Sequence, residues 1–298
     1  MNNEKVLVVG CNGQLGTDMC VEGRARGFDL AGIDYPQIDI ADRLSVERCL
    51  ENSGAAYVIN CAAYTDVDGC ETNRDRAFAL NSQGAGYLAS FSSAIGARMV
   101  HISTDYVFDG KKEGFYVESD TPNPGTVYGL SKLEGEREVA SACRNHQIFR
   151  IAWLYGLHGK NFVFNMRALA AKRAAAGEVL TVVNDQIGTP TSTREVCRQV
   201  FTALQSDLTG VIHATCEGWC SWFDFSREIV RAAGIAVDLR PCTTAQFVRP
   251  APRPANSRLE NERLKQAGIS VMTDWRSAFE EFLLDERAAG RADVRNNY

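Results

Sequence analysis

Apolar residues in this chain fall into short β-branched blocks separated by longer stretches with helical spacing. The block at 6–9 predicts a buried strand, and residues 13–26 after it a helix. Further strands are expected at 28–33, 57–60, 98–103 and 148–154. Helices are expected between them at 43–52, 75–95 and 128–144. Continuous apolar strands alternating with helices are the pattern of an α/β protein with a doubly wound parallel sheet, because such a sheet is covered on both faces.

Beyond Tyr155 the alternation loosens. Helices are expected at 162–176, 193–205 and 222–233, with strands at 179–184 and 211–214. The stretch 248–257 holds three of the eight prolines and cannot form a regular element. A last helix is expected at 274–287, and the polar tail 290–298 is expected to fray. The chain therefore divides into a Rossmann-like domain at 1–155 and a smaller domain at 156–298, with some segments of the second returning to the first.

Composition narrows the class. With 298 residues, 45% of them hydrophobic and 23% charged, the chain is an ordinary globular protein with ample core. A net charge of −5 argues against a nucleic-acid partner. No apolar run approaches the roughly 20 residues of a membrane span. The apolar block after Lys5 is too short for a signal peptide, so a cytoplasmic location is expected. The ten cysteines (11, 20, 49, 61, 70, 143, 197, 216, 220, 242) form no Cys-x-x-Cys pair, and read as reduced, small apolar residues. The four histidines (101, 146, 158, 213) are isolated and read as structural or surface residues.

The first strand leads into Gly10-Cys-Asn-Gly13-Gln-Leu-Gly16. Glycines at that spacing, with a strand before and a helix after, allow a pyrophosphate to approach backbone N–H groups at a helix start. Gly10, Asn12, Gly13, Gln14, Leu15 and Gly16 are thus candidates for binding a dinucleotide. Asp34 ends the second strand, 18 residues after Gly16, where a carboxylate accepts hydrogen bonds from ribose hydroxyls. It would repel a 2′-phosphate, which favours NADH with NADPH tolerated. Asp39 and Ile40 stand where a loop covers adenine. The small residues of Ala62-Ala63-Tyr64-Thr65 would let backbone approach the cofactor.

Tyr128 and Lys132 are four apart and share a helix face. An ammonium beside a phenol is expected to lower the phenol pKa and tune Tyr128 as a general acid. Thr104, closing the fourth strand at the carboxyl edge of the sheet, can donate a second hydrogen bond to the same substrate oxygen. Tyr-x-x-x-Lys alone arises often by chance. Its order after the glycine turn and a strand ending in Ser-Thr gives it weight.

Five stretches carry a resemblance across nearly the whole chain. These are Thr-Asp-Tyr-Val-Phe-Asp-Gly at 104–110, Val-Tyr-Gly-Leu-Ser-Lys-Leu-Glu-Gly at 127–135 and Arg-Ile-Ala-Trp-Leu-Tyr-Gly at 150–156. The others are Asn-Asp-Gln-Ile-Gly-Thr-Pro-Thr at 184–191 and Arg-Pro-Ala-Asn-Ser-Arg-Leu at 253–259. Together the sequence resembles the dTDP-4-dehydrorhamnose reductases, a family of extended short-chain dehydrogenases/reductases. The resemblance implies reduction of a C4 ketone on a dTDP-sugar by NADH or NADPH. It implies Tyr128 as proton donor, Lys132 as its tuner and ribose anchor, and Thr104 as partner on the C4 oxygen. Asp105, Val67, Trp153, Arg253, Asn256 and Arg258 would line the substrate pocket, without a choice between the two arginines for the pyrophosphate. The resemblance also implies a homodimer, and in some members Mg²⁺ at its interface. Here the corresponding acids are Asp18 and Glu195, and Asp18 is shorter than the family's glutamate, so solvated helix-face acids are the expected reading. An enzyme acting on another nucleotide-4-keto sugar, as reductase or epimerase, shares the same Tyr-Lys machinery. So does a non-catalytic regulatory subunit of reductase ancestry, although the presence of both Tyr128 and Lys132 counts against it.

Overall fold

The computed structural model describes residues 4–290, so the tail at 291–298 lies outside the described residues. The first half alternates strand and helix: β1 (Lys5–Val9), α1 (Gln14–Ala25), β2 (Asp29–Ile33), α2 (Arg43–Glu51), β3 (Tyr57–Asn60), α3 (Val67–Thr72), α4 (Arg74–Phe78), α5 (Gly84–Ala94), β4 (Arg98–Thr104), α6 (Val127–Ala142) and β5 (His146–Ile151). The second half follows with β6 (Leu154–Tyr155), α7 (Phe162–Ala176), β7 (Leu180–Val183), β8 (Ile187–Gly188), β9 (Thr191–Ser192), α8 (Thr193–Leu204) and β10 (Gly210–His213). It ends with β11 (Cys220–Ser221), α9 (Trp222–Ala232), β12 (Leu239–Cys242), α10 (Glu262–Gln266) and α11 (Trp275–Ala288).

Six strands form one parallel sheet in the order β10-β5-β4-β3-β1-β2. The pleat sends alternate side chains to opposite faces. Val6 and Val8 pack with Met19, Val196 and Phe201 on the α1–α8 side, whereas Leu7 and Val9 pack with Val46, Leu88 and Val139 on the α2–α5–α6 side. The first of these cores runs unbroken into the later residues, through Tyr155, Phe225, Trp275, Phe279 and Phe282. β10 returns to the main sheet and α8 packs on α1, while β7 and β12 pair as a separate parallel ribbon beside α9.

Two expected elements are broken, and both breaks serve the site. The helix expected at 75–95 is α4, a π-helical turn at Ala79–Gln83, and α5. The wider turn places the buried Asn81, which accepts from the Tyr64 N–H at 2.7 Å and donates to the Tyr64 carbonyl at 3.0 Å. The strand expected at 148–154 stops at Ile151 because Trp153 adopts φ 48°, a left-handed conformation rare for a bulky residue. The chain turns there and resumes as β6, paired with β9.

Candidate active site

The carboxyl ends of β1, β3 and β4 meet on one edge of the sheet. After β1, Gly10 has φ +80°, and a Cβ there would lie 2.6 Å from the Ala62 nitrogen. A Cβ on Gly16 would lie 2.0 Å from the Gly10 carbonyl oxygen. Both positions therefore demand glycine. The start of α1, at Gly13, carries no capping side chain, leaving its N–H groups open to an anion. Asp34 accepts the Asn12 and Tyr35 N–H groups, each at 2.8 Å. Beside it opens a cavity of about 420 Å³ lined by Gly10, Asp34, Asp39, Ile40, Ala62 and Ala63, and by Arg76. These residues fit the adenosine end of a nicotinamide dinucleotide. Of the other candidates, Leu15 is buried in the core, so only its backbone faces the turn. Asp39 caps the Ala41 N–H at 2.9 Å, and Thr65 is exposed.

Thr104 and Tyr128 are brought together. The Tyr128 hydroxyl lies near the Thr104 hydroxyl, the Tyr128 ring meets the Tyr106 ring edge-on at 5.4 Å, and the Thr104 hydroxyl donates to Asp105 Oδ1 at 3.0 Å. Burial, with smaller contributions from Asp105 and Cys70, pushes the Tyr128 phenol well above its ordinary range, the Thr104 hydroxyl opposing. This corrects the expectation that Lys132 lowers it. Lys132 Nζ instead donates to the Ile102 carbonyl at 2.6 Å and sits 3.2 Å from His101 Nε2, both on β4. The phenol thus holds its proton at neutral pH, the state a proton donor needs. Burial lowers Lys132 itself to about 8, Glu136 and Cys61 opposing. Beneath it, Glu136 forms a buried bidentate pair with Arg150 at 2.9 and 2.6 Å and accepts from Ser103 Oγ at 2.5 Å, which ties α6 to β4 and β5.

A second cavity, of about 540 Å³, adjoins this cluster. Asp105, Tyr106, Trp153, Gln186, Arg249 and Arg253 are among its lining residues. Trp153 stacks on Trp222 at 3.5 Å and backs onto Gly188, where a Cβ would lie 2.4 Å from its ring. Arg253 is held by Asp68 at 2.9 Å and by the Ala251 carbonyl at 2.9 Å. Arg258 does not line the cavity: its guanidinium lies over Phe115 and Trp219 and bonds Asn256 Oδ1 at 2.8 Å. Asn256 spends its amide on the chain as well, donating to the Lys112 and Gly114 carbonyls at 2.7 Å each. Val67 is half-buried at the start of α3, next to Asp68, and is not among the cavity-lining residues.

The match to known proteins is decisive at this point: residues 4–288 fit the model of the RmlD substrate binding domain family. The chain belongs to that family. It is 38% identical to the spore coat polysaccharide biosynthesis protein SpsK of Bacillus subtilis, over 96% of this chain and 99% of that one. A solved dTDP-4-dehydrorhamnose reductase from Clostridium acetobutylicum superposes with a TM-score of 0.91 at 40% identity, covering 95% of this chain and 99% of that one. The Bacillus anthracis dTDP-4-dehydrorhamnose reductase, solved in complex with NADP, also gives 0.91, at 35% identity with 95% and 99% covered.

Within this RmlD-family fold, of the two acids considered for Mg²⁺, Asp18 is partly exposed while Glu195 is buried, which corrects the solvated reading for Glu195. Asp18 accepts from His158 Nδ1 at 2.8 Å and from the Thr193 hydroxyl. Glu195 is buried, accepting from the Thr273 N–H at 3.0 Å, its hydroxyl at 2.9 Å and Arg198 at 3.0 Å. These partners already occupy the two carboxylates, so the acids do not fit a metal site. Among the described residues no cluster of three or more His, Cys, Asp or Glu could hold a metal, and no helix is long and apolar enough to cross a membrane.

Sequence reasoning missed Asn81, Arg76, Arg249, Trp222 and His101. The first four approach the site from other segments and carry no local signal. His101 did carry one: period-two alternation places it on the same face of β4 as Ser103, towards α6.

Proposed function

We propose that this chain is a nucleotide-sugar ketoreductase that converts dTDP-4-dehydro-β-L-rhamnose to dTDP-L-rhamnose with NADH or NADPH. The observation that carries the reading is the juxtaposition of Thr104 and Tyr128 beside Asp105, where the glycine-turn edge of the sheet meets the larger cavity. A bound reduced nicotinamide would supply the hydride. The protein's part is to bind, orient and protonate. Tyr128 gives its proton to the C4 oxygen as charge develops there. The Thr104 hydroxyl exchanges Asp105 for that same oxygen and stabilises it. Arg253, fixed by Asp68 and facing the cavity, is the arginine assigned to the pyrophosphate, because a planar guanidinium held in place matches two phosphate oxygens. The Trp153–Trp222 stack forms an apolar wall against the sugar.

The test is turnover of the dTDP-4-keto sugar, followed as loss of reduced-nicotinamide absorbance with NADH and NADPH side by side. Reduction at C4 with either cofactor is expected. A protein that binds cofactor yet leaves both absorbances unchanged over hours would instead have the behaviour of a regulatory subunit.

A further inference from the structure

Beneath Lys132 runs a hydrogen-bond chain whose direction is set at one end by the backbone. The Ala62 N–H can only donate, and it donates to Asn60 Oδ1 at 3.0 Å. That orients the Asn60 amide, so its Nδ2 faces His101 Nδ1, 3.2 Å away, as a donor. His101 Nδ1 must then accept, and a neutral imidazole in that position carries its proton on Nε2. Nε2 lies 3.2 Å from Lys132 Nζ. An ammonium has three donors and no lone pair, so it would meet this N–H donor to donor. A neutral amine accepts the Nε2 proton while donating to the Ile102 carbonyl at 2.6 Å. Asn60, His101 and Lys132 are each no more than 2% exposed, so water cannot relieve a mismatch cheaply.

We propose that His101 is a positioning residue for Lys132, presenting an N–H to the lysine nitrogen and so biasing it towards the neutral amine in the cofactor-free protein. Glu136, on α6 itself, favours the ammonium, but its carboxylate is engaged by Arg150 and Ser103. Cys61, just past the end of β3, acts weakly in the same direction. Against them stand burial and the Asn60–His101 donor chain on β3 and β4. Burial lowers Lys132 to about 8, and burial is also the main reason that His101 stands well below its ordinary value, in keeping with a neutral imidazole. The use of this device rests on the ketoreductase reading. Ketone reduction consumes one proton per turnover, and a lysine with proton affinity near ambient pH can take one up and release it.

The experiment is NMR of the full-length, cofactor-free protein. Nitrogen-15 imidazole shifts report the His101 tautomer. Carbon-13 labelling of the seven lysines reports the Lys132 titration, assigned with Lys132→Arg. Expected are a neutral His101 with its proton on Nε2 and a Lys132 midpoint at or below about 8. His101→Phe removes the donor and should raise that midpoint by about one pH unit or more. His101→Gln should restore it, since a glutamine can accept from Asn60 and donate to Lys132. Asn60→Asp replaces the amide donor by an acceptor and should move the His101 proton to Nδ1, a readout that holds even if His101→Phe fails to fold. A proton on Nδ1 in the wild type, or a Lys132 midpoint unchanged in both His101 variants, overturns the proposal. No substrate is needed, so failure here is distinct from failure of the turnover assay.

Discussion

The two cavities on this sheet edge are built in different ways. The nucleotide end is made of backbone: a glycine turn, an open helix start and the small residues after β3. The sugar end is made of side chains drawn from the turn after β4, from α7, β7, α9 and from the proline-rich stretch 248–257. A backbone site is fixed by a few glycines in one short stretch. A side-chain site exists only once distant segments have met, and its residues hold one another in place, as Asp68 holds Arg253 and Trp222 holds Trp153. Thr104 and Tyr128 sit on the seam, which is why they show in the sequence and in both halves of the chemistry.

The strongest break falls at that seam. Tyr128→Phe keeps the ring contact with Tyr106 and removes only the hydroxyl that carries the proton. It should cut kcat by about 10²- to 10⁴-fold while leaving NADH affinity within about twofold. Steady-state kinetics and cofactor titration of the same preparation check this, and unchanged turnover would remove Tyr128 as the donor.

A pair of glycine substitutions separates the two ends. Gly10→Ala puts a Cβ against the Ala62 backbone at a left-handed φ, with strain on the order of 1–3 kcal/mol. It should weaken NADH binding by about tenfold or more. Gly188→Ala meets only the Trp153 ring and should raise the sugar-nucleotide KM with cofactor affinity unchanged. If both variants lose cofactor affinity equally, the two ends are not independent. Arg253→Ala is a milder probe of the sugar end. Losing a charge-assisted hydrogen bond of about 1.5–3 kcal/mol should raise KM by about 10- to 100-fold and change kcat less. Arg258→Ala, away from the cavity, should leave KM nearly alone, and kinetics on the two variants decide between the arginines.

The same division explains what the sequence could tell. The alternation of strand and helix, the glycine turn and the Tyr-Lys spacing are local, so they could be read directly. The π turn at Ala79–Gln83 could not, because it exists to satisfy the Tyr64 backbone through Asn81, a contact 17 residues away in sequence. The stop at Trp153 is a backbone conformation that its residue type argues against. The phenol expectation failed for a different reason. Spacing put Lys132 and Tyr128 on one face but did not say where the ammonium would find its partners, and Ile102 and His101 on the neighbouring strand supply them. Arg253 and Arg258 were indistinguishable as a pair until Asp68 and Trp219 were known to hold them apart.

The smallest expected effect concerns Asp105, on the side-chain-built end. One of its oxygens accepts from Thr104, while Oδ2 is buried without a hydrogen-bond partner. Burial raises its carboxyl to about 6, with the nearby Ser257 and Thr104 hydroxyls opposing. The folded state then binds this proton more tightly than the unfolded chain, whose carboxyl titrates near 4. Between about pH 4 and 6 stability therefore falls as pH rises, and above that window the whole cost of the buried charge is present. Two pH units correspond to about 3 kcal/mol, from which the unpaired amide of the variant subtracts. Asp105→Asn should accordingly be more stable than the wild type by about 1–2 kcal/mol at pH 8, and the gain should vanish below about pH 4. Urea unfolding of both proteins across that range measures it. Asp34, whose two oxygens each hold a backbone N–H, gives the contrast: Asp34→Asn turns one of those bonds donor to donor and should destabilise. A stability gain in Asp34→Asn, or a pH-independent one in Asp105→Asn, would mean that the unpaired Oδ2 is not what sets the two ends apart.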